Sequence, residues 1–402
     1  MLAWFRATYP LDRADAVAAI APWTVAEIVA SAVRPAIDVV LVQPGRRLVV
    51  AVEPRSVGGA SLVATRDLQL SYYADDGIDH VAAAVVVRAL AAVLARHEAG
   101  HAPRRLPVIP SAGHRFVELR INRACNERCR FCNTPADSPT IVDQPAAVLA
   151  SIAAAAAAGC RDLLLTGRET TLAPELPGYV AAARAAGISN VRVQTNATAL
   201  GHGPLLARLV AAGVTEFEVS LHTLDEATFE RLIGPAALVA HAVAGLDALA
   251  ACAEVAVTIV TVVTTANLAE LPALVDTIAA RWPGVTNLVL SPVAPVGDGA
   301  DALDLLVPYP RLGPAVADAL ARAARHGIAA SVPARCGLPP CVLPPAVRDR
   351  HDAVRSQRGG PVEPGKQKPP VCAGCALDRR CAGPWSRYLD RFGAAGLAPI
   401  AP

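Results

Sequence analysis

Residues 116–132 read Phe-Val-Glu-Leu-Arg-Ile-Asn-Arg-Ala-Cys-Asn-Glu-Arg-Cys-Arg-Phe-Cys, a β-rich run that leads directly into three closely spaced cysteines. The run at 116–121 predicts a strand. Cys125, Cys129 and Cys132 follow at spacings of four and three residues. Three thiolates spaced in this way can hold three corners of a four-iron cluster from one loop. One iron is then left open to chelate a small molecule, as a catalytic cluster requires.

A structural zinc site is the alternative for this loop. Zinc takes four ligands in a closed tetrahedral site. None of His114, Asp137 or Asp143 lies at the spacing of a usual zinc motif. The loop therefore favours a cluster over zinc, and its context strengthens that preference.

Short apolar runs alternate with helical stretches after the loop. Strands are predicted at 116–121, 162–165, 190–194, 216–220, 255–262 and 287–290, and helices at 146–158, 176–186, 204–212, 238–251, 268–281 and 314–326. This alternation predicts βαβ units and a parallel sheet. Six units are too few for a closed eight-stranded barrel. The fold class is therefore α/β, with a partial (β/α)6 barrel.

The chain divides into three predicted domains. Residues 1–110 are predicted to form an α+β domain of unknown role, with strands at 37–42, 48–52 and 67–72, a turn at 43–46 and a helix at 78–97. A proline-containing stretch at 100–111 is the predicted linker. The barrel then covers residues 111–331. Residues 332–402 form a cysteine-rich region with many prolines and little apolar sequence of its own.

Composition excludes several classes of function. The 402 residues carry 37 basic and 35 acidic side chains, and a net charge of +2 leaves no electrostatic footprint for nucleic acid. No apolar run is long enough to cross a bilayer. The first ten residues do not look like a secretory signal, so we expect a cytoplasmic protein and no membrane partner. Clustered cysteines in a large chain of this kind favour metal binding over disulfides.

A strand followed by Cys-x3-Cys-x-aromatic-Cys resembles the signature loop of the radical S-adenosylmethionine superfamily. The resemblance implies a [4Fe-4S] cluster on Cys125, Cys129 and Cys132, whose open iron binds the amino and carboxylate groups of S-adenosylmethionine. One electron, from a donor such as ferredoxin or flavodoxin, then produces a 5′-deoxyadenosyl radical. This radical takes a hydrogen atom from a substrate. Phe131 matches the aromatic position near the adenine.

The second predicted strand runs into Thr166-Gly167-Arg168-Glu169-Thr170, which resembles the family's Gly-Gly-Glu-Pro motif. Gly167 lets the backbone turn tightly and approach a ligand. Glu169 offers a carboxylate to the methionyl ammonium of the cofactor. Arg168 and Thr170 depart from the motif.

The third and fourth predicted strands also end in polar residues. Thr195 and Asn196 follow one of them, and Ser220 and His222 follow the other. Such residues face the site in barrel-like folds, and these match family positions near the ribose and the methionine carboxylate. Helix capping is the alternative for Asn196. Ser220 is the stronger ligand candidate, and His222 is a candidate to face the substrate.

The second group of cysteines has the pattern Cys-x2-Cys-x5-Cys at Cys372, Cys375 and Cys381. It is similar to the auxiliary-cluster regions of SPASM and twitch type. The full SPASM pattern places another cysteine at the position of Trp385, so we expect one auxiliary [4Fe-4S] cluster. Cys341 is its expected fourth ligand.

Other readings of the cysteines remain open. Cys336 is the rival of Cys341 for the fourth ligand, and a zinc knuckle is the alternative for the whole group. Cys160 and Cys252 lie in Ala-rich, helical surroundings and are expected to be small buried apolar residues.

Together these features predict a radical S-adenosylmethionine enzyme. An auxiliary cluster suggests a peptide or protein substrate, as in maturases, and a small-molecule substrate is the alternative. A non-catalytic zinc or iron–sulfur protein is a further alternative. An electron-transfer protein would need a fourth thiolate on the first cluster, and none is placed for it.

Overall fold

The computed structural model describes residues 115–285, 287–355 and 365–401 without interruption. Before them it describes residues 9, 11, 17–18, 20–30, 37–44, 46–54, 63–64, 68–74 and 80–99. The linker predicted at 100–111 lies outside the described residues.

The N-terminal part contains a five-stranded antiparallel sheet in the order β1-β2-β3-β5-β4 and a long helix. The elements are β1 (Thr24–Ala30), β2 (Ile37–Gln43), β3 (Arg46–Pro54), β4 (Val63–Ala64), β5 (Leu68–Ala74) and α1 (His80–Ala99). Gln43 pairs with Arg46 across β2 and β3, which confirms the predicted hairpin. Among the described residues, the apolar core of this part shares no member with the core of the remaining chain.

Seven parallel strands form the main sheet and lie side by side in sequence order. They are β6 (Arg115–Arg120), β7 (Cys160–Thr166), β8 (Asn190–Thr195), β9 (Glu216–Ser220), β10 (Ala256–Val263), β11 (Asn287–Pro292) and β12 (Ala329–Ser331). The α/β class and the six predicted strands are confirmed. The seventh strand, β12, has three residues, which is too short for a sequence pattern to reveal. The sheet is open, with β6 and β12 as its edges.

Helices connect these strands, as βαβ units require. They are α2 (Pro145–Ala157), α3 (Leu176–Ala185), α4 (Leu205–Ala212), α5 (Glu226–Leu232), α6 (Leu238–Ala250), α7 (Leu271–Arg281) and α8 (Tyr309–Arg325). The Asp225 side chain accepts the Thr228 N–H at 2.8 Å and so caps α5. Helix α8 begins at Tyr309, earlier than predicted, because it accommodates Pro314 within the helix. No helix among the described residues is long and apolar enough to span a membrane.

The two faces of the main sheet differ in chemistry because successive side chains of a strand point to opposite faces. One face joins the apolar core with the helices, and its members include Leu163, Leu165, Val191, Val193, Phe217 and Val219. The other face is polar and carries Glu118, Asp162, Arg192, Glu216, Glu218 and Thr258. Arg192 bonds to Asp162 at 2.8 Å and to Glu218 at 2.5 Å on this face. We call it the inner face.

The C-terminal part is built mainly from turns. Its helical segments are the 3₁₀ turns Pro340–Val342, Pro345–Arg350 and Pro370–Cys372, and the short helices α9 (Asp352–Arg355) and α10 (Ser386–Phe392). Tyr388 of α10 stacks on Tyr309 of α8 with ring centroids 3.8 Å apart. Its hydroxyl also accepts the Tyr309 N–H at 2.7 Å. Trp385 and Tyr388 join the core of the main sheet, so this part packs on the barrel.

Candidate active site and second cysteine cluster

The carboxyl ends of parallel strands lie along one edge of the sheet, and the predicted site residues follow these ends. The loop after β6 and the loop after β7 are joined by backbone hydrogen bonds from Arg168 to Asn122 (3.2 Å) and from Glu169 to Ala124 (3.0 Å). Gly167 has a φ of +152°, and a Cβ atom there would lie 2.8 Å from the Asn122 carbonyl oxygen. Gly167 therefore permits the close approach of these two loops.

The loop of residues 122–134, which we call the cysteine loop, is also held on its other side. Arg128 and Arg130 donate their backbone N–H groups to the carbonyls of Ile233 and Leu232, at the C-terminal end of α5, at 2.7 and 2.8 Å. The Cys132 carbonyl accepts a backbone hydrogen bond from Gly299 at 3.2 Å. The loop is thus fixed by the segments that follow β7, α5 and β11.

The three thiols of the cysteine loop are partly accessible and form no disulfide. Burial raises the pKa of Cys125 to about 11, and burial also raises the pKa values of Cys129 and Cys132. The Glu127 carboxylate also raises the pKa of Cys129, whose thiol donates a hydrogen bond to it at 3.4 Å. Thiols with raised pKa values are protonated at neutral pH, so iron bound here would displace protons.

The donor chemistry of the cysteine loop fits an iron–sulfur cluster, because thiolates are the ligands of such clusters. A single ion such as zinc needs its ligands gathered around one point. A cluster does not need such a point, since each thiolate binds a different iron. The ligand roles of Cys125, Cys129 and Cys132 stay a prediction.

Glu169 lies at the centre of a buried hydrogen-bond network. Its carboxylate accepts from the Thr171 N–H at 2.9 Å, the Thr171 hydroxyl at 2.5 Å, the Thr195 hydroxyl at 2.6 Å and the Asn196 N–H at 2.7 Å. Only 1% of the residue is exposed. Burial raises the pKa of Glu169, and these hydrogen bonds oppose the rise. In this arrangement Glu169 orients Thr195 and Asn196, and its predicted contact with the cofactor's ammonium remains untested.

Asn196 connects the end of β8 to the cysteine loop. Its side-chain amide donates to the Asn126 side chain at 2.9 Å, and Asn126 donates to the Thr198 hydroxyl at 2.8 Å. Thr198 in turn donates to the Asn196 side-chain oxygen at 2.7 Å. Sequence reasoning missed Asn126 and Thr198. The only available signal was the place of Asn126 between two of the cysteines.

Phe131 and His222 bring the cysteine loop against the end of β9. Their rings meet edge to face with centroids 4.8 Å apart. The His222 Nδ1 atom accepts the Val262 N–H at 3.0 Å, which leaves Nε2 as the protonated nitrogen. Burial lowers the pKa of His222 to about 4, so the ring is neutral. Ser220 is half-buried on the inner face of the same strand.

The second group of cysteines surrounds one cavity. Its wall includes the four predicted auxiliary ligands, Cys341, Cys372, Cys375 and Cys381, together with Lys368 and Asp378. Burial raises the pKa of Cys341 to about 11, and the other three thiols add to the rise. The structure thus brings together the four thiols that the sequence grouped, and their ligand roles stay a prediction.

The remaining cysteines lie apart from this cavity. Cys336 is buried, and its sulfur accepts the Leu338 N–H at 3.4 Å. Cys336 is not part of the cavity wall, so its place favours Cys341 as the fourth ligand. Cys160 is fully buried, as expected, but it begins strand β7 and does not lie in a helix. Cys252 is only partly buried and contacts Glu254 at 3.2 Å. Cys252 is therefore not the buried apolar residue that was expected.

Known protein families and sequences supply independent findings. The family model described as Radical SAM superfamily matches residues 119–278. A GTP 3′,8-cyclase of Chlorobaculum tepidum is 38% identical over 117 residues, which are 28% of this chain and 34% of that protein. A GTP 3′,8-cyclase of Acidothermus cellulolyticus is 35% identical over 158 residues, 35% of this chain and 42% of that protein. The chain thus spans less than half the length of these relatives.

Solved structures with a related arrangement include SuiB of Streptococcus suis bound to the precursor peptide SuiA. It has a TM-score of 0.45 and 16% identity, with 65% of this chain and 56% of that chain covered. HydG, a maturase of the [FeFe]-hydrogenase, has a TM-score of 0.42 and 14% identity, with 54% and 51% covered.

Proposed function

We propose that this chain, whose residues 119–278 match the family model of the radical SAM superfamily, is a radical SAM enzyme that cleaves S-adenosylmethionine reductively at the cysteine loop. One observation carries this proposal. Three cysteines that form no disulfide lie in one loop, which three neighbouring segments hold at the carboxyl edge of a parallel sheet. That edge is where barrel-like folds place their chemistry.

Cys125, Cys129 and Cys132 would hold a [4Fe-4S] cluster. When bound, the cluster supplies one electron that breaks a carbon–sulfur bond of S-adenosylmethionine, giving methionine and a 5′-deoxyadenosyl radical that abstracts hydrogen from a substrate. A ferredoxin or flavodoxin is the proposed electron donor. The chain's own residues hold and orient the reactants, so their contacts decide how well this reaction is directed.

The residues around the cysteine loop supply those contacts. Glu169 keeps Thr195 and Asn196 in place at the end of β8, where we propose that they bind the cofactor together with Ser220. Phe131 is fixed against His222 and offers a ring face to the adenine. The neutral His222 ring retains an Nε2–H donor at this position.

The second cavity is proposed to hold an auxiliary [4Fe-4S] cluster on Cys341, Cys372, Cys375 and Cys381. The supporting observation is that these four thiols line one cavity of about 380 Å³, a volume that includes the solvent at its mouth. Four thiolates saturate a cluster, so this site would not chelate S-adenosylmethionine. Its expected role is in electron transfer or in binding the substrate.

The substrate is proposed to be polar, because the inner face of the sheet carries charged and hydrogen-bonding side chains. A peptide or protein remains the substrate class that the auxiliary-cluster pattern favours. A nucleotide is the second candidate, because the matched relatives are named GTP 3′,8-cyclase. The match covers only the shared part of those proteins.

Anaerobic reconstitution of the full chain tests the proposal. We expect about eight iron atoms per chain when both sites fill, and equal amounts of 5′-deoxyadenosine and methionine after addition of S-adenosylmethionine and dithionite. A chain that takes up only zinc, or that binds iron and forms no 5′-deoxyadenosine, overturns it. Transfer of deuterium from a labelled peptide or from labelled GTP into 5′-deoxyadenosine would then separate the two substrate classes.

A further inference from the structure

Arg168, the residue that departs from the glycine-rich motif, links three segments around the cysteine loop. Its guanidinium donates to the Thr134 carbonyl at 3.2 Å and to the Asp298 carboxylate at 3.1 Å. Thr134 lies in the cysteine loop, and Asp298 lies in the 3₁₀ turn Gly297–Asp301 that follows β11. An arginine at this position therefore connects the ends of β6, β7 and β11.

The Arg168 guanidinium lies beside the thiol of Cys132, because the two groups share an acceptor. Cys132 Sγ contacts the Thr134 carbonyl at 3.4 Å, and the guanidinium bonds to the same oxygen. The Arg168 side chain is only 14% exposed, so water screens its charge weakly. Burial raises the pKa of Cys125 and of Cys132, and Arg168 opposes this rise at both thiols. Its field thus reaches two of the three cysteines.

The position of Asp298 is fixed by the backbone of its turn. Gly297 has a φ of +61°, and a Cβ atom there would lie 2.6 Å from the Cys132 carbonyl oxygen. Gly299 donates its N–H to that same oxygen at 3.2 Å. The turn is therefore seated directly on the cysteine loop, and it places an anion next to the Arg168 cation.

We propose that Arg168 and Asp298 set the reduction potential of the cluster held by Cys125, Cys129 and Cys132, with opposite signs. Reduction adds one electron, and therefore one negative charge, to the cluster. A nearby cation stabilises the reduced form and makes the potential less negative, and a nearby anion does the reverse. The Arg168 side chain is 14% exposed and that of Asp298 is 42% exposed, so water screens the charge of Arg168 less and its effect dominates. This inference rests on the proposed function.

Other charged residues also affect these thiols, and they are the same in every variant that is compared. Arg120 also opposes the rise in the pKa of Cys132 that burial causes, and Glu127 adds to the rise at Cys129. The experiment therefore changes one member of the pair at a time and compares each variant with the unchanged chain.

The chain offers a matched control pair on the same loop. Arg130 donates to both carboxylate oxygens of Asp304 at 2.9 and 3.0 Å, and so also connects the cysteine loop to the region after β11. The two side chains are 45% and 59% exposed. An exposed pair is strongly screened, so neutralising either member leaves the cluster's potential nearly unchanged.

The test is a redox titration of the anaerobically reconstituted full chain with dithionite, followed by electron paramagnetic resonance. The cluster with the open iron is identified as the signal that changes when S-adenosylmethionine is added. We expect Arg168→Gln to shift its potential to more negative values and Asp298→Asn to less negative values. Arg168→Lys, which keeps the charge, is expected between Arg168→Gln and the unchanged chain. Arg130→Gln and Asp304→Asn are expected to show no shift.

Shifts of the same sign in Arg168→Gln and Asp298→Asn, or no shift in either, overturn the inference while leaving the proposed function intact. A purely structural role predicts one of these results. If Arg168→Gln fails to retain iron, Arg168→Lys and Asp298→Asn still decide the question through the sign of the shift. An unchanged chain that takes up no cluster overturns both proposals.

Discussion

The two groups of cysteines are held in different ways. The cysteine loop lies at the end of β6 and is bonded to the segments after β7, α5 and β11. The cavity of the second group is bounded mainly by turns, including Pro340–Val342 and Pro370–Cys372. The sheet and its neighbouring segments thus hold the cysteine loop in place even without a bound metal. The second group depends much more on whatever its thiols bind.

The largest expected effect is the loss of activity when one thiol of the cysteine loop is removed. Cys129→Ala is expected to reduce formation of 5′-deoxyadenosine to background, because two thiolates do not hold a cluster with one open iron. Cys375→Ala is expected to retain some cleavage of S-adenosylmethionine while losing product. Liquid chromatography of 5′-deoxyadenosine measures both. Cys252→Ala, at a partly buried cysteine outside both groups, is the control, and unchanged cleavage in Cys129→Ala would reverse the assignment of the two sites.

Removal of iron separates the two regions by their stability. We expect anaerobic chelation to increase hydrogen exchange over residues 365–385, because turns with few apolar contacts lose their main constraint. Strands β7 to β10 are expected to keep their protection, since their core consists of apolar side chains such as Val193 and Phe217. Hydrogen–deuterium exchange with mass spectrometry checks this. Equal loss of protection in both regions would contradict the comparison.

Glu169→Gln tests the hydrogen-bond network beside the cysteine loop without changing a cysteine. The amide places a donor where a carboxylate oxygen accepts hydrogen bonds, and at least one buried donor loses its partner. We expect a loss of about 1.5 to 3 kcal/mol in the free energy of unfolding, measured by urea denaturation of the iron-free chain. Glu175→Gln, on an exposed residue of the same segment, is expected to have almost no effect. Equal stabilities of the two variants would show that the hydrogen bonds to the Glu169 carboxylate do not stabilise this part of the fold.

The smallest expected effects concern which of Cys336 and Cys341 is the fourth ligand of the auxiliary cluster. Cys341→Ala is expected to lower the iron content by about four atoms per chain, because its thiol lies in the cavity wall. Cys336→Ala is expected to keep all its iron and to lose about 1 kcal/mol of stability, as a small cavity replaces a buried sulfur. Iron and sulfide analysis beside thermal unfolding distinguishes them. The opposite pattern of iron loss would make Cys336 the ligand.

Local patterns in the sequence predicted the strands and helices of the main sheet well. Runs such as 216–220 alternate with helices at a regular spacing, and β9 has those same bounds in the structure. Strands β1, β4 and β12 were missed. Strand β12 has three residues, and its pairing with β11 depends on contacts far apart in sequence. Helix α10 was missed because it is short and packs through Tyr388 against α8.

Site contacts between distant residues were the least predictable. Glu169 was identified by a motif, but the four donors that surround its carboxylate come from the loop after β7 and from the end of β8. The Asn126–Thr198 and Arg168–Asp298 contacts join residues 72 and 130 positions apart. No local periodicity encodes such pairs, because they arise only when the sheet brings the strand ends together.

The alternation along β9 limits how this protein can change in length. Glu216 and Glu218 lie on the inner face, and Phe217 and Val219 lie under the helices. Deletion of one residue within the strand would exchange the two sets, with carboxylates pressed into hydrocarbon and an aromatic ring facing the inner surface. Natural variants of this chain are therefore expected to tolerate insertions and deletions in the connections between strands and to reject them inside β7, β8 and β9.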